Sequence, residues 1–185
     1  RVKNSTEPDY RGGTGIFVEG SYNIIEDNYI HGCVWSGIKL SKSGNFLVPS
    51  NVIVRNNRLF RNGMAGIEVS GRNNLIEGNE IYHFPSYGIH MYKNGISGPP
   101  FPSNNIVRNN VIHDFSTTYW PTAVAGALGP GDPRGCGILP TSGVGNRVYN
   151  NLVYNGSGGI CTTGGGSDNL IYNNTVYKMT GGGIN

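Results

Sequence analysis

Lys39, Glu68, His90 and Tyr92 are the residues of this chain whose types and spacing could do chemistry. Lys39 follows Gly37-Ile38, Glu68 follows Gly66-Ile67 and His90 follows Gly88-Ile89, with Tyr92 two residues further on. In an extended strand His90 and Tyr92 project from one face about 7 Å apart, which suits a base and an acid on either side of a single carbon. Lys39 would supply a cation, and Glu68 a carboxylate to hold a bound molecule. The same face is flanked by the longest inter-repeat stretches, residues 41–50, 92–103 and 114–136. Long loops in a compact repeat usually carry function. In the last of them Tyr119, Trp120, Asp132 and Arg134 offer an aromatic surface and a cation for an acidic sugar. The arrangement predicts an open groove with His90 and Tyr92 on its floor and the loops as its walls.

A repeat must position these residues. Gly-Ile pairs recur at one phase, beginning at Gly15, Gly37, Gly66, Gly88, Gly137, Gly159 and Gly183, and four of the six intervals between these seven are 22 to 24 residues. Between the pairs runs an Asn-rich apolar phrase, as in Ile53-Val54-Arg55-Asn56-Asn57-Arg58-Leu59 and Ile106-Val107-Arg108-Asn109-Asn110-Val111-Ile112. A fixed period of this size marks one supersecondary unit per repeat. Each unit holds three short apolar stretches of period two, separated by Gly, Asn and Ser, with no helical pattern. The reading is an all-β solenoid of about six to seven coils, three strands per coil, forming one domain over 1–185.

The Asn at 28, 57, 79, 110, 151 and 174 recurs at one phase. A stacked coil explains that recurrence, because amides about 4.8 Å apart can bond one another and the turn backbone, so each buried amide is satisfied. The residue before each ladder Asn is Asp27, Asn56, Gly78, Asn109, Asn150 or Asn173, types that tolerate a left-handed backbone. Phase also gives the core: Ile16, Val18, Ile25, Ile30, Ile38, Leu40, Val54, Leu59, Ile67, Val69, Ile76, Ile81, Ile89, Met91, Val107, Ile112, Ile138, Val148, Val153, Ile160, Ile171 and Val176. Pro140 and Thr162 stand where the pattern asks for an aliphatic residue, which predicts less regular later coils.

On these motifs the chain resembles the right-handed parallel β-helix family, which includes pectate lyase-like and chondroitinase-like lyases, alginate lyases, uronate epimerases and copper-maturation periplasmic proteins. The resemblance spans roughly residues 14–185. Such a repeat encodes packing and is shared by enzymes and non-enzymes. The resemblance implies a polysaccharide substrate lying along the first-strand face and abstraction of the proton next to a uronate carboxylate. In that role Lys39 or Arg134 would neutralise the carboxylate, His90 would be the base and Tyr92 the acid, with Glu68, Tyr119 and Trp120 binding substrate. The Asp-Pro-His-Asp signature of uronate epimerases is absent, the nearest string being Gly131-Asp132-Pro133-Arg134. No cofactor is called for, and a calcium site would have to draw on Glu68, Glu19 and Asp132. The alternative expectation is a non-catalytic structural or glycan-binding module. Either would belong to a secreted or cell-envelope protein.

Two other outward columns read as packing. Glu26, Arg55, Glu77 and Arg108, followed by Tyr149 and Tyr172, alternate in sign up one face, an arrangement expected to pair internally and to fix coil register. His31, Phe60, Tyr82, His113, Tyr154 and Tyr177 form a second column, expected to stack ring on ring.

Composition narrows the partners. A net charge of +3 with scattered basic residues gives no nucleic-acid surface, and no apolar run reaches the roughly 20 residues of a membrane span. Cys33, Cys136 and Cys161 lack metal-ligand spacing. Placed three residues out of register on adjacent coils, Cys136 and Cys161 stand about 10 Å apart along the strand, so no disulfide between them is expected. A chain that begins at Arg1 and stops within a Gly-Ile strand is expected to be a piece of a longer protein.

Overall fold

The computed structural model describes residues 13–42, 48–93, 102–116, 135–141, 143–162 and 166–184. Its strands form three six-stranded sheets in which every named pairing is parallel. The first sheet holds Ile16–Val18, Ser36–Leu40, Ala65–Val69, Tyr87–Met91, Cys136–Pro140 and Gly158–Ile160. The second runs from Ile24–Glu26 to Leu170–Tyr172, and the third from Tyr29–His31 to Thr175–Met179. Each strand pairs with its equivalent one repeat on, Lys39 with Glu68 and Glu68 with His90. One apolar column fills the middle, from Val18 and Ile25 up to Val153 and Ile160. Ile16, Ile171 and Val176 are only partly buried against it.

Hydrogen bonds within the turns explain why this sequence coils. Asn57, Asn79, Asn110 and Asn151 are buried, and each places its Oδ1 on the backbone N–H of the ladder residue one coil earlier at 3.0 or 3.1 Å. The residue before each is left-handed, from Asp27 at φ 58° to Asn173 at φ 53°. A second ladder stands at the other end of the same strands, where Asn74, Asn105, Asn146 and Asn169 repeat the bond, the last three at 2.9 to 3.0 Å. Its lower end is interrupted by Val52, whose N–H donates to Asn74 Oδ1 at 2.9 Å while its own side chain joins the core.

The Gly-Ile pair has a physical cause as well. A Cβ on Gly66 would meet Ile81 Cγ2 at 2.4 Å, and one on Gly88 would meet Ile112 Cγ2 at 2.7 Å. Glycine and isoleucine therefore both turn inward, and the residues on either side, such as Tyr87 and His90, share the outer face. Their rings lie 4.2 Å apart, closer than three extended residues would allow.

That bend corrects one expectation. Cys136 and Cys161 form a disulfide, with Cα atoms 6.2 Å apart. The 10 Å separation assumed a fully extended strand, whereas Gly137-Ile138 draws Cys136 toward the next outward column and the strand Gly158–Ile160 ends one residue before Cys161. The same diagonal brings Ser36 against Glu68. Pro140 still pairs, with Met91, but Thr162 is exposed and outside any strand. Reducing the disulfide is expected to lower stability by about 2–4 kcal/mol, as closure of a loop of this length implies. Urea unfolding with and without reductant measures it, and identical midpoints would remove the cross-link from the stability of the later coils.

Candidate functional site

The first-sheet face brings Lys39, Glu68, His90 and Tyr92 together on three consecutive coils. Tyr119, Trp120 and Arg134, together with Asp132, lie outside the described residues. Lys39 Nζ stands 3.0 Å from Glu68 Oε2, and the ammonium also lies over the rings of Tyr92 and Trp35 at 5.6 and 5.9 Å. Ser36 donates a hydrogen bond to Glu68 Oε1. The His90 ring is held between Tyr87 and Tyr92, with centroids 4.2 and 4.9 Å away.

Three of these four ionisable side chains are buried. Lys39 is 4 % exposed, Glu68 0 % and His90 8 %, while Tyr92 is intermediate. Burial pushes the Tyr92 hydroxyl well above the usual phenol range, and the Glu68 carboxylate, which accepts a hydrogen bond from it, pushes the same way. Ser41 and Ser70, beside the phenol oxygen, pull weakly against that shift. Tyr92 therefore stays protonated at physiological pH and is a weaker acid than a free phenol.

Chemically, the cluster is a buried ion pair whose carboxylate also accepts a hydrogen bond from Ser36. A buried charge is tolerated when it is paired and hydrogen-bonded. A cation poised for a substrate carboxylate would need an open side, but the Lys39 ammonium has a carboxylate and two aromatic rings against it. Sequence reasoning missed Trp35, Ser36 and Tyr87. Their signal was the Gly-Ile bend, which puts the residue before each glycine on the same face as the residue after each isoleucine.

The other columns close in the same manner. Arg55 pairs with Glu26 at 2.6 Å and Arg108 with Glu77 at 2.8 Å. From His31 through Phe60, Tyr82, His113 and Tyr154 to Tyr177 the rings stack at 4.9 to 5.1 Å. Each inner ring has both faces occupied by its neighbours, so this column presents edges, not the open faces on which sugar rings stack. His113 Nδ1 also lies 2.8 Å from Asp114 Oδ2, a bond that holds the Asp114 carboxyl below its ordinary range. The remaining thiol, Cys33, is buried, and burial raises it to about 11, keeping it protonated and unreactive. No group of three or more metal-ligating side chains occurs among the described residues, and no helix among them is long and apolar enough to cross a membrane.

Comparison with known proteins agrees with this geometry at the level of the fold. No curated protein matches the sequence. Among solved structures, the chain is similar to the Streptococcus pneumoniae surface protein and adhesin PfbA, with a TM-score of 0.55 at 15 % sequence identity. The match covers 89 % of this chain and 49 % of that one, so this chain spans about half the length of the adhesin structure. Residues 2–117 match the family described as right handed beta helix region. Three parallel sheets wound about one aliphatic column, laddered asparagines at the turns and this match together establish that the chain belongs to the right-handed β-helix family.

Proposed function

We propose that this chain is a non-catalytic β-helix module of a secreted or cell-envelope protein, serving as a rigid body that spaces or presents other parts. The observation that carries this reading is the closure of the first-sheet column. Lys39 and Glu68 are buried and paired at 3.0 Å, and Ser36 donates a hydrogen bond to the same carboxylate. The Cys136–Cys161 disulfide supports an oxidising compartment, where such bonds form and persist. A surface adhesin with the same fold is in keeping with that placement.

One observation favours a second reading, a lyase acting on uronate-containing polysaccharide. Tyr92 is half-buried, and its ring lies 4.9 Å from that of His90, the one imidazole of the column, as an acid beside a base would. Incubation with a panel of uronate polysaccharides separates the two readings, because elimination creates an unsaturated sugar that absorbs in the ultraviolet. No absorbance from wild type on any substrate is expected. Product from wild type and none from His90→Ala would establish the lyase and end the structural reading.

A further inference from the structure

We infer that the outer face of the second sheet is a self-association surface, and that its occupant is a second copy of this chain lying antiparallel to the first. Two columns run up this face. One is aliphatic: Ile24, Ile53, Leu75 and Ile106 stand in register on the first four coils, with Ile24 56 % exposed and the other three partly exposed. The other lies two residues along the strands and alternates in charge: Glu26, Arg55, Glu77, Arg108. The side chains in these ion pairs are 22 to 41 % exposed, so their outer atoms remain open to a partner.

The alternation is self-complementary under one symmetry. A two-fold axis parallel to the strands, passing between the second and third coils, reverses coil order but keeps position along the strand. Aliphatic column then meets aliphatic column, with Ile24 against the partner's Ile106 and Ile53 against the partner's Leu75. Charge column meets charge column with every sign opposed: Glu26 faces Arg108 of the second copy, and Arg55 faces Glu77. This is an isologous contact, the commonest kind in homo-oligomers. Sliding the copies by one coil sets Glu26 against Glu77 and Arg55 against itself. Sliding by two sets Arg147 on Ile53 and leaves Arg55 and Glu26 facing Tyr149 and Tyr172. A two-fold axis along the solenoid would lay aliphatic side chains on charges. In such contacts apolar burial supplies the affinity, while charge sets register and rejects wrong partners.

The internal ion pairs do not remove this complementarity. Glu26–Arg55 and Glu77–Arg108 are neutral couples, and their stacking leaves each protomer with the same alternating pattern on its outer surface. Burying bare carboxylates would be unfavourable, whereas bringing neutral couples together in opposed order extends them into a network.

Sedimentation equilibrium on the whole chain tests the inference through a charge swap. Wild type is expected to dimerise with a dissociation constant on the order of 100 µM, in the range of weak association. Arg55→Glu alone and Glu77→Arg alone place like charges across the axis and should each weaken association at least about 10-fold. An equimolar mixture of the two restores opposite charges across the axis and should form a heterodimer about as tight as the wild type. Leu75→Ser, which cuts the aliphatic column at the axis, should also weaken the dimer. Circular dichroism and urea unfolding of each variant distinguish lost association from lost fold. A wild type that stays monomeric to several times that concentration overturns the inference. So does a dimer indifferent to the single variants, or a mixture that fails to recover.

Discussion

Asn110→Ala is expected to lower stability by about 3–5 kcal/mol, far more than an ordinary polar substitution, because it strips partners from several buried groups at once. Asn110 Nδ2 donates to Ile76 O and Arg108 O, both at 3.0 Å, and its Oδ1 accepts from the Asn79 backbone N–H at 3.0 Å and from Asn79 Nδ2 at 2.9 Å. Asn79 and Asn110 are both buried, so no water replaces those bonds. Each stranded group costs about 1–3 kcal/mol. Asn174→Ala removes the equivalent contacts where they are partly exposed, and water can substitute for much of what is lost. Its expected cost is nearer 1 kcal/mol. Urea denaturation of the two variants beside wild type reads the difference directly. Equal losses would mean that the ladder gains nothing from burial.

The ladder was legible in the sequence because its cause is periodic. A polar residue that returns at one phase of an apolar repeat must find its partner in the next repeat, and Asn28 to Asn174 did so. The left-handed residue before each of them followed from residue type. The second ladder, at Asn74, Asn105, Asn146 and Asn169, was equally periodic but escaped notice because Val52 stands in its place on the second coil. Valine keeps the N–H that the next asparagine needs and gives up only the amide, so the fold tolerates the break while the pattern looks incomplete.

Which residues share the first-sheet face could be read from phase, and Lys39, Glu68 and His90 do pair in register. How that face closes could not. Three extended residues span about 10 Å, but the inward turn of both Gly and Ile shortens the path on the outer side. That shortening joins Cys136 to Cys161, Ser36 to Glu68 and Tyr87 to His90. A column spaced for chemistry thereby became a column of filled contacts. Type and register are local properties that a repeat displays, whereas the partner a side chain chooses depends on the curvature of the strand beneath it.

The second large effect is expected at that column. Glu68→Leu leaves the Lys39 ammonium buried without its carboxylate, and Lys39→Met does the reverse. Each should cost about 3–5 kcal/mol. With both substitutions together the charges vanish as a pair and side chains of similar volume remain. The double variant should therefore recover most of the loss, since replacing a buried ion pair by apolar residues is often neutral. Lys39 and Glu68 would then exist for each other and not for a ligand. The coupling energy of this four-protein cycle, measured by urea unfolding, tests that claim directly. A coupling above about 2 kcal/mol is expected for contacting, desolvated partners. Additivity within about 0.5 kcal/mol would contradict it, and would return Lys39 to the role of a cation held ready for a bound acidic sugar.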